Sequence, residues 1–415
     1  RQMCIRDRRY IKENPEEQAL CSHLLKQDIR SLILAPVIKN ERFYGFIEMV
    51  SANANELNSI NANKLEFITP FITDTIERYY SELQNEVDAI IQNEYTAIHH
   101  SVYWKFREEA LEHLHSRNNR EAFKDIVFRE VYPLYGQLDV KGSSTARNDS
   151  TEKDLLLQVQ TLLGVFRFIF EQEPLPLIEQ HIYELESLED KLRDPLKADT
   201  EATIQSYIMN EVHPVLNHFD NSNAVVRSRI KEYFGSLDAK LHMVYQSRKD
   251  FDRTLSAINK QMAALLDKKQ EAAQAFFPHY YERFKTDGVE HNLYIGGSIS
   301  PKHPYNPLYL NNLRLWQLQV MCEMENEYYR LKPTLPYDLD VTSLILVFSS
   351  PISIRFRMDE KRFDVDGTYN ARYEVVKKRI DKSNIKGTKE RITQKGKITI
   401  VYTLSLIHIS EPTRR

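Results

Sequence analysis

The sequence predicts an α+β fold in which helix predominates, and three observations carry that expectation. Only 11 of the 415 residues are glycine, well below the average usage of about 7%, and a chain so poor in turn formers is built mainly from long helices. Through most of residues 102–290 apolar residues recur at spacings of three and four, the signature of one helical face. Two other stretches, 31–51 and 343–358, carry compact apolar runs and an alternation of period two, which belongs to strands.

Taken in order, SLILAPVI (31–38), the polar turn Lys39-Asn40-Glu41 and FYGFIEMVS (43–51) predict a hairpin. Pro36 suits an edge, where a missing N–H is tolerable, and Gly45 suggests a bulge. A helix is expected from Asn61–Asn63 to Tyr95, with Ile72, Ile76, Tyr79, Leu83, Val87 and Ile90 on one face and a kink or restart at Pro70. Leu155 to Phe170 is apolar nearly all round and should lie centrally. Pro174 and Pro176 precede Ile178, Ile182, Leu185, Leu188 and Leu192, as a helix start requires. After the breaker Asp220-Asn221-Ser222-Asn223, a helix is expected through Val226, Ile230, Tyr233, Leu237, Leu241 and Val244, and another through Phe251, Leu255, Ile258, Met262 and Leu265. Together these predict a central helical bundle with short connections.

The character changes near Asp287-Gly288. Leu293-Tyr294-Ile295 reads as a short strand before Gly296-Gly297, Pro307 to Tyr329 as a helix, and Ser343 to Phe348 as a strand. Ile352, Ile354, Phe356 and Met358 alternate with Ser353, Arg355 and Arg357, a half-buried strand. Ile398 to Tyr402 is a further strand. The expected organisation is a partial sensor-like domain over 9–84, a helical bundle region with its connector helix over 85–290, and a partial C-terminal α+β domain over 291–403.

Two resemblances refine this. A helix carrying Cys21 to Leu25, then IRSLILAPVI, a turn, FYGFIEMVS and a long final helix resembles the C-terminal half of a GAF domain over about residues 15–84. That resemblance implies an α+β sensor module with a central antiparallel sheet, a small-molecule ligand and a role as a dimerising regulator. Residues 1–8 (RQMCIRDR) and 404–415 (LSLIHISEPTRR) resemble in-frame translations of transposase-based sequencing adapters. This resemblance implies that the informative chain is 9–403 and that the protein continues on both sides.

Composition narrows the function classes. The formal net charge is −3. Three arginines and one aspartate in the first eight residues, and two arginines and one glutamate in the last twelve, leave −6 for the segment between. An acidic balance argues against general nucleic-acid binding, which needs a basic surface. Setting aside Cys4, the cysteines are Cys21 and Cys322, which make neither a disulfide framework nor a zinc site and suit a reducing, cytoplasmic setting. No apolar run approaches the ~20 residues of a membrane span.

No catalytic constellation emerges. Bilin attachment, which the GAF resemblance raises at Cys21 and His23, is disfavoured because Ser22 intervenes, and Cys21 reads as an ordinary buried thiol. His99-His100, and His113 with His115, lack the three- or four-residue spacing of helical metal ligands. His279 and Glu282 share a face and His291 follows, but no further acidic or cysteine cluster joins them, so no metal site is expected. Lys141-Gly142-Ser143-Ser144 invites an anion nest but lacks phosphate-loop spacing. Thr151 and Asp154 account for its polarity as the cap of a helix starting near Thr151. Asp364-Val365-Asp366-Gly367 resembles part of a calcium loop but lacks the closing glutamate, so a turn is expected.

The remaining feature is basic. Between Arg372 and Lys397 ten Lys or Arg face Glu374, Asp381 and Glu390. Lys377, Lys378 and Arg379 are expected on a helix, Lys386 and Lys389 on a loop, as an anion- or partner-binding patch set against the commoner solvated face. The favoured function is regulatory: a sensor whose state passes through helices to a C-terminal domain, with a homodimer formed through the helix around Ile72–Ile90. The alternatives are an enzyme with a phosphate- or nucleotide-handling C-terminal site, and a non-catalytic scaffold.

Overall fold

A computed structural model describes residues 3–4, 22–39, 42–54, 56–57, 59–95, 98–115, 123–193, 199–219, 223–366, 380 and 383–403. The chain is 55% helix and 22% strand, which makes it α+β with helix predominating. It divides into two compact units: Arg1–Ile98 with Trp104–Lys124, and His99–Tyr103 with Asp125–Arg415.

The first unit begins with β1 (Met3–Cys4) and a helix, α1, at residues 22–26, followed by β2 (Ser31–Lys39), β3 (Arg42–Ser51) and α2 (Ser59–Glu94). The expected hairpin is present: β2 and β3 pair antiparallel from Ser31↔Ser51 to Lys39↔Arg42, and the register slips at Val37/Ile38 beside Gly45. β1 pairs with Ile33 and Leu34 on the other side of β2. α2 runs 36 residues through Pro70 without restarting. The hydroxyls of Thr69 and Thr73 donate to Leu65 O and Thr69 O on either side of the proline, binding carbonyls in the turn where its N–H is missing. On α2's expected face Val87 is buried, Ile72, Ile76, Leu83 and Ile90 are half-buried, and Tyr79 is exposed. Tyr95 lies edge-on to Phe106 and Phe123, at 4.9 Å and 5.6 Å between ring centroids.

The second unit holds a seven-stranded sheet whose main path is β10-β7-β4-β6-β5. Its centre is β4 (Val127–Lys141), a strand inside a stretch expected to be almost wholly helical. Pro133 and Gly136 hide it, since both are rare in central strands. Pro133 is tolerated because it falls between the pairing of Val131 with Ile352 on β8 and that of Leu134 with Val347 on β7. β5 (Tyr280–Thr286) and β6 (Gly288–Ile295) form a hairpin, and β7 is Asp340–Phe348. β4 pairs antiparallel with both β6 and β7. With α9 (Ser247–Ala273) before β5 and α10 (Pro307–Leu331) before β7, the order of connections is the split βαβ arrangement. β10 (Ile398–Thr403) extends the sheet parallel to β7, and β8 (Ile352–Arg357) with β9 (Arg362–Val365) forms a hairpin beside β4.

One sheet face packs under α9 and α10. Leu134, Leu138, Val140, Val289, Leu293, Val341 and Ile345 meet Phe251, Ile258, Met262, Leu266, Leu313, Val320, Met321 and Met324 there. The alternation of period two in β4 and β7 delivers this face, and the spacing of three and four in the helices delivers its cover.

Between β4 and α9 the chain makes α4 (Ser143–Gln172), α5 (Pro176–Lys191), α6 (Thr200–Tyr207), a π turn (Ile208–Val212), α7 (His213–Phe219) and α8 (Ala224–Ser236). They share a core of Leu155, Leu162, Phe166, Ile178, Leu185, Ile204, Leu216, Ile230 and Tyr233. Two boundaries differ from expectation. α4 begins at Ser143 rather than near Thr151, because Asp154 does not cap its own helix. α8 stops at Ser236 rather than reaching Val244. Asp238 Oδ1 accepts the N–H groups of Lys240 and Leu241 at 2.9 Å and 3.2 Å, an Asx turn that competes with helix, and Leu241 is left exposed.

Candidate functional site

A cleft in the second unit starts from an irregularity in β4. Its pairing with β8 shifts register between Phe128 and Val131, and Glu130 sits there at φ 54°, a left-handed conformation that costs a non-glycine residue energy. The bulge is held from the far side. Ser298 Oγ donates to Arg129 O at 2.6 Å. Gly296 approaches so closely that a Cβ would lie 2.6 Å from Glu130 O and 3.1 Å from Val131 Cα, so only glycine fits.

From this bulge Tyr132 projects beside Tyr305, with ring centroids 6.2 Å apart and planes within 14° of parallel. Tyr305 ends the loop that precedes α10, where Asn306 caps the helix by accepting Leu308 N–H at 2.8 Å and Pro307 takes the first turn. Phe277 meets Tyr305 and Tyr309 at 5.9 Å and 4.9 Å, fixing the base of the loop. Two turns into α10, Arg314 donates from Nη2 to Phe348 O at 2.9 Å, at the end of β7.

The result is two adjoining hollows that share the tyrosine pair. One, of about 340 Å³, is lined by Tyr132, Tyr305, Leu310, Asn311, Arg314 and Val347 among others. The other, of about 910 Å³, reaches Arg129, Glu130, Gly297, Ser298 and Ser353. Burial pushes the Tyr305 phenol above its ordinary value, with Arg314 pulling the other way, and its oxygen is buried without a hydrogen-bond partner among the described residues. The arrangement provides flat aromatic surface, the guanidiniums of Arg314 and Arg129, the carboxylate of Glu130 and a few hydroxyl and amide groups. Among the described residues it contains no paired nucleophile and base.

The residues singled out from sequence lie elsewhere. Lys377, Lys378 and Arg379 are outside the described residues, as is Cys21. Lys386 and Lys389 are exposed on a turn between Asn384 and Arg391, which form an isolated bridge, with Gly387 at φ 83°. Among the described residues the structure does not gather them into a pocket. Lys395, from the same basic segment, is an ion-pair partner of Asp340 at 2.8 Å. Asp364 lies in strand β9, not in a turn, and Asp366 pairs with Arg355 at 3.2 Å; Gly367 is outside the described residues. At the Lys141–Ser144 loop, Gly142 is left-handed at φ 68°, while Ser143 Oγ and Arg147 donate to Asp287 at 2.8 Å and 3.2 Å. Those bonds tie the side chains of Ser143 and Arg147 to a carboxylate.

The histidines take structural places. The His99 and His100 rings lie 4.2 Å apart, tilted by 37°. Burial, then His100 and His279, hold His99 down to about 4. His279, fully buried just before β5, donates from Nδ1–H to Phe277 O at 2.9 Å and is likewise pushed to about 4 by burial. His279 and Glu282 therefore share no helical face, because the chain there is entering a strand. His291 lies on β6 under α10, 3.1 Å from Gln317 Nε2. His113 stacks on Phe123 at 4.3 Å, and His115 Nδ1 lies 2.6 Å from Leu111 O. Among the described residues no group of three or more His, Cys, Asp or Glu is disposed to hold a metal ion.

Sequence reasoning noticed Gly296-Gly297 but not the cleft, since Tyr132 and Tyr305 are far apart in the chain and only the antiparallel pairing of β4 with β6 brings their surroundings together. No protein-family model, no curated protein and no solved structure matches this chain.

Proposed function

We propose that the chain is a regulatory protein in which the hairpin and long helix of the first unit act as a GAF-like sensor, dimerise through α2 and pass their state through α3 (His100–His115) to the α+β unit. The observation that carries this reading is the apolar surface of α2. Phe67 is 79% exposed, Phe71 74% and Ile60 69%, on one side of a helix spanning about 54 Å at 1.5 Å per residue. Contiguous apolar surface of this kind marks an interaction site.

The dimer seam differs from the one read in sequence. Ile72, Ile76, Leu83 and Val87 are half-buried or buried, so the proposed seam is the adjoining exposed stripe at Phe67 and Phe71. Support for the relay comes from α3, whose first residues belong to one unit and whose remainder belongs to the other. A continuous helix carries a displacement along its length.

Sedimentation velocity on the intact chain tests both parts. The wild type is expected to be a dimer and the double variant Phe67→Glu, Phe71→Glu a monomer with unchanged helix content. Hydrogen exchange should then differ between the two in residues 104–115. A wild type that stays monomeric at ~100 μM, where a weak dimer would already form, ends the dimer reading; identical exchange in dimer and monomer ends the relay.

A further inference from the structure

We propose that the paired hollows at Tyr132 and Tyr305 bind a small planar aromatic carboxylate, with Arg314 holding the carboxylate and the tyrosine rings holding the aromatic face. This site is separate from the α2 seam and stands without it.

Size comes first: about 340 Å³ and about 910 Å³ fall within the ~300–1,000 Å³ typical of small-molecule sites. Shape follows from the walls. Tyr132 and Tyr305 are near parallel at 14°, and Leu310 and Val347 complete an apolar slot. Flat apolar walls select a flat ring, and stacked aromatic pairs gain beyond their buried area.

Charge decides the rest. Arg314 is the ionised residue lining the smaller hollow. It spends one N–H on Phe348 O, leaving part of a planar five-donor fork that matches a carboxylate. Asn311, one turn earlier on α10, also lines this hollow and adds an amide donor. In the larger hollow Arg129 lies next to Glu130, and their charges offset. The net field is that of a single cation, which suits a monoanion; a phosphate dianion would call for a second charge or a nest of backbone N–H groups. The buried Tyr305 oxygen would gain from a polar ring substituent, since buried hydroxyls are nearly always hydrogen-bonded.

Saturation-transfer NMR on the intact chain, with 4-hydroxybenzoate, benzamide, acetate and inorganic phosphate as separate probes, tests this. Binding of 4-hydroxybenzoate is expected with a dissociation constant near ~1 mM or below, and at least about tenfold weaker binding for the other three. Arg314→Gln should lower the affinity about tenfold through loss of a charge-assisted pair, with Arg314→Lys intermediate. Tyr132→Ala should weaken 4-hydroxybenzoate and benzamide alike. Circular dichroism identifies any variant that fails to fold, and Asn311→Ala, on exposed helix surface, then supplies the reading. The proposal is overturned if 4-hydroxybenzoate does not bind, if acetate or phosphate binds as well as it does, or if the variants leave its affinity unchanged. Tighter binding of a short peptide ending in tyrosine would also overturn it, in favour of a peptide site.

Discussion

The carboxylate of Asp154, on α4, caps a different helix. It accepts the backbone N–H groups of Ser247 at 2.8 Å and Arg248 at 3.0 Å, and pairs with Arg248 Nε at 3.1 Å. Asp154 is 1% exposed and Arg248 12%, and Arg248 also reaches Glu201 on α6 at 2.6 Å. A single carboxylate thus satisfies the orphan N–H groups at the start of α9 and joins α4, α6 and α9. Asp154→Ala would remove the acceptor of Arg248 Nε and of two helix-end N–H groups while leaving Arg248 paired with Glu201, and should cost about 2–4 kcal/mol. Asp154→Asn keeps one acceptor and should cost less, about 1–3 kcal/mol. Urea unfolding checks both; equal losses from the two would show that the capping bonds matter little.

Gly136 is a second point of close approach. It lies in β4 directly opposite His291 on β6, and a Cβ there would collide with the His291 imidazole and lie 3.0 Å from Gln317 Nε2. His291 is 1% exposed beneath α10 and has nowhere to retreat. Gly136→Ala should therefore destabilise by about 1–3 kcal/mol, as overpacking does. His291→Ala in the same chain should recover part of that loss. If the double variant is no more stable than Gly136→Ala, the collision is not the cause.

These contacts show what sequence could convey. Periodicity located α5, α9, α10, the β2–β3 hairpin and the alternation of β8, because each rule involved operates within one element. It missed β4, whose Pro133 and Gly136 look like breaks until β7, β8 and His291 are placed around them. Asp154 was read as capping its own helix because local spacing permits that; its true partners lie some ninety residues on, and nothing in a T-x-x-D pattern names them. The cleft failed to show for the same reason. A bulge, a close glycine and two tyrosines from separate elements are legible only after the strand order is known.

Acid should loosen the second unit through its buried histidines. His99, His279 and His291 are each pushed down to about 4, chiefly by burial. A lowered histidine means the folded chain binds fewer protons than the unfolded chain between about 6.5 and about 4. Stability is then full above about 6.5 and falls as pH drops through that window, by up to about 3 kcal/mol for each of the buried His279 and His291 and by less for the half-buried His99. Urea unfolding from pH 7 to pH 4.5 should show this slope. His279→Phe should reduce it, since a ring of similar size cannot take the proton. A slope identical to wild type would assign the acid sensitivity elsewhere.

Glu325 should act in the opposite sense. It is buried on α10 and takes Ser343 Oγ–H on Oε1 at 2.6 Å, while Oε2 has no hydrogen-bond partner among the described residues. Burial raises its pKa and the Ser343 bond only partly opposes this, so the folded chain holds the proton more tightly than the unfolded chain. Glu325 therefore costs stability as pH rises through the region above 4.5, its ordinary value. Glu325→Gln keeps an acceptor for Ser343 and removes the poorly solvated charge. It should stabilise the protein at neutral pH by about 1 kcal/mol, in line with other buried charges replaced by neutral groups, and the gain should vanish on acidification. Unfolding at pH 7.5 and pH 5 measures both quantities. A Glu325→Gln variant less stable than wild type at pH 7.5 would mean that the ionised carboxylate has a compensating partner and that burial is not its governing influence.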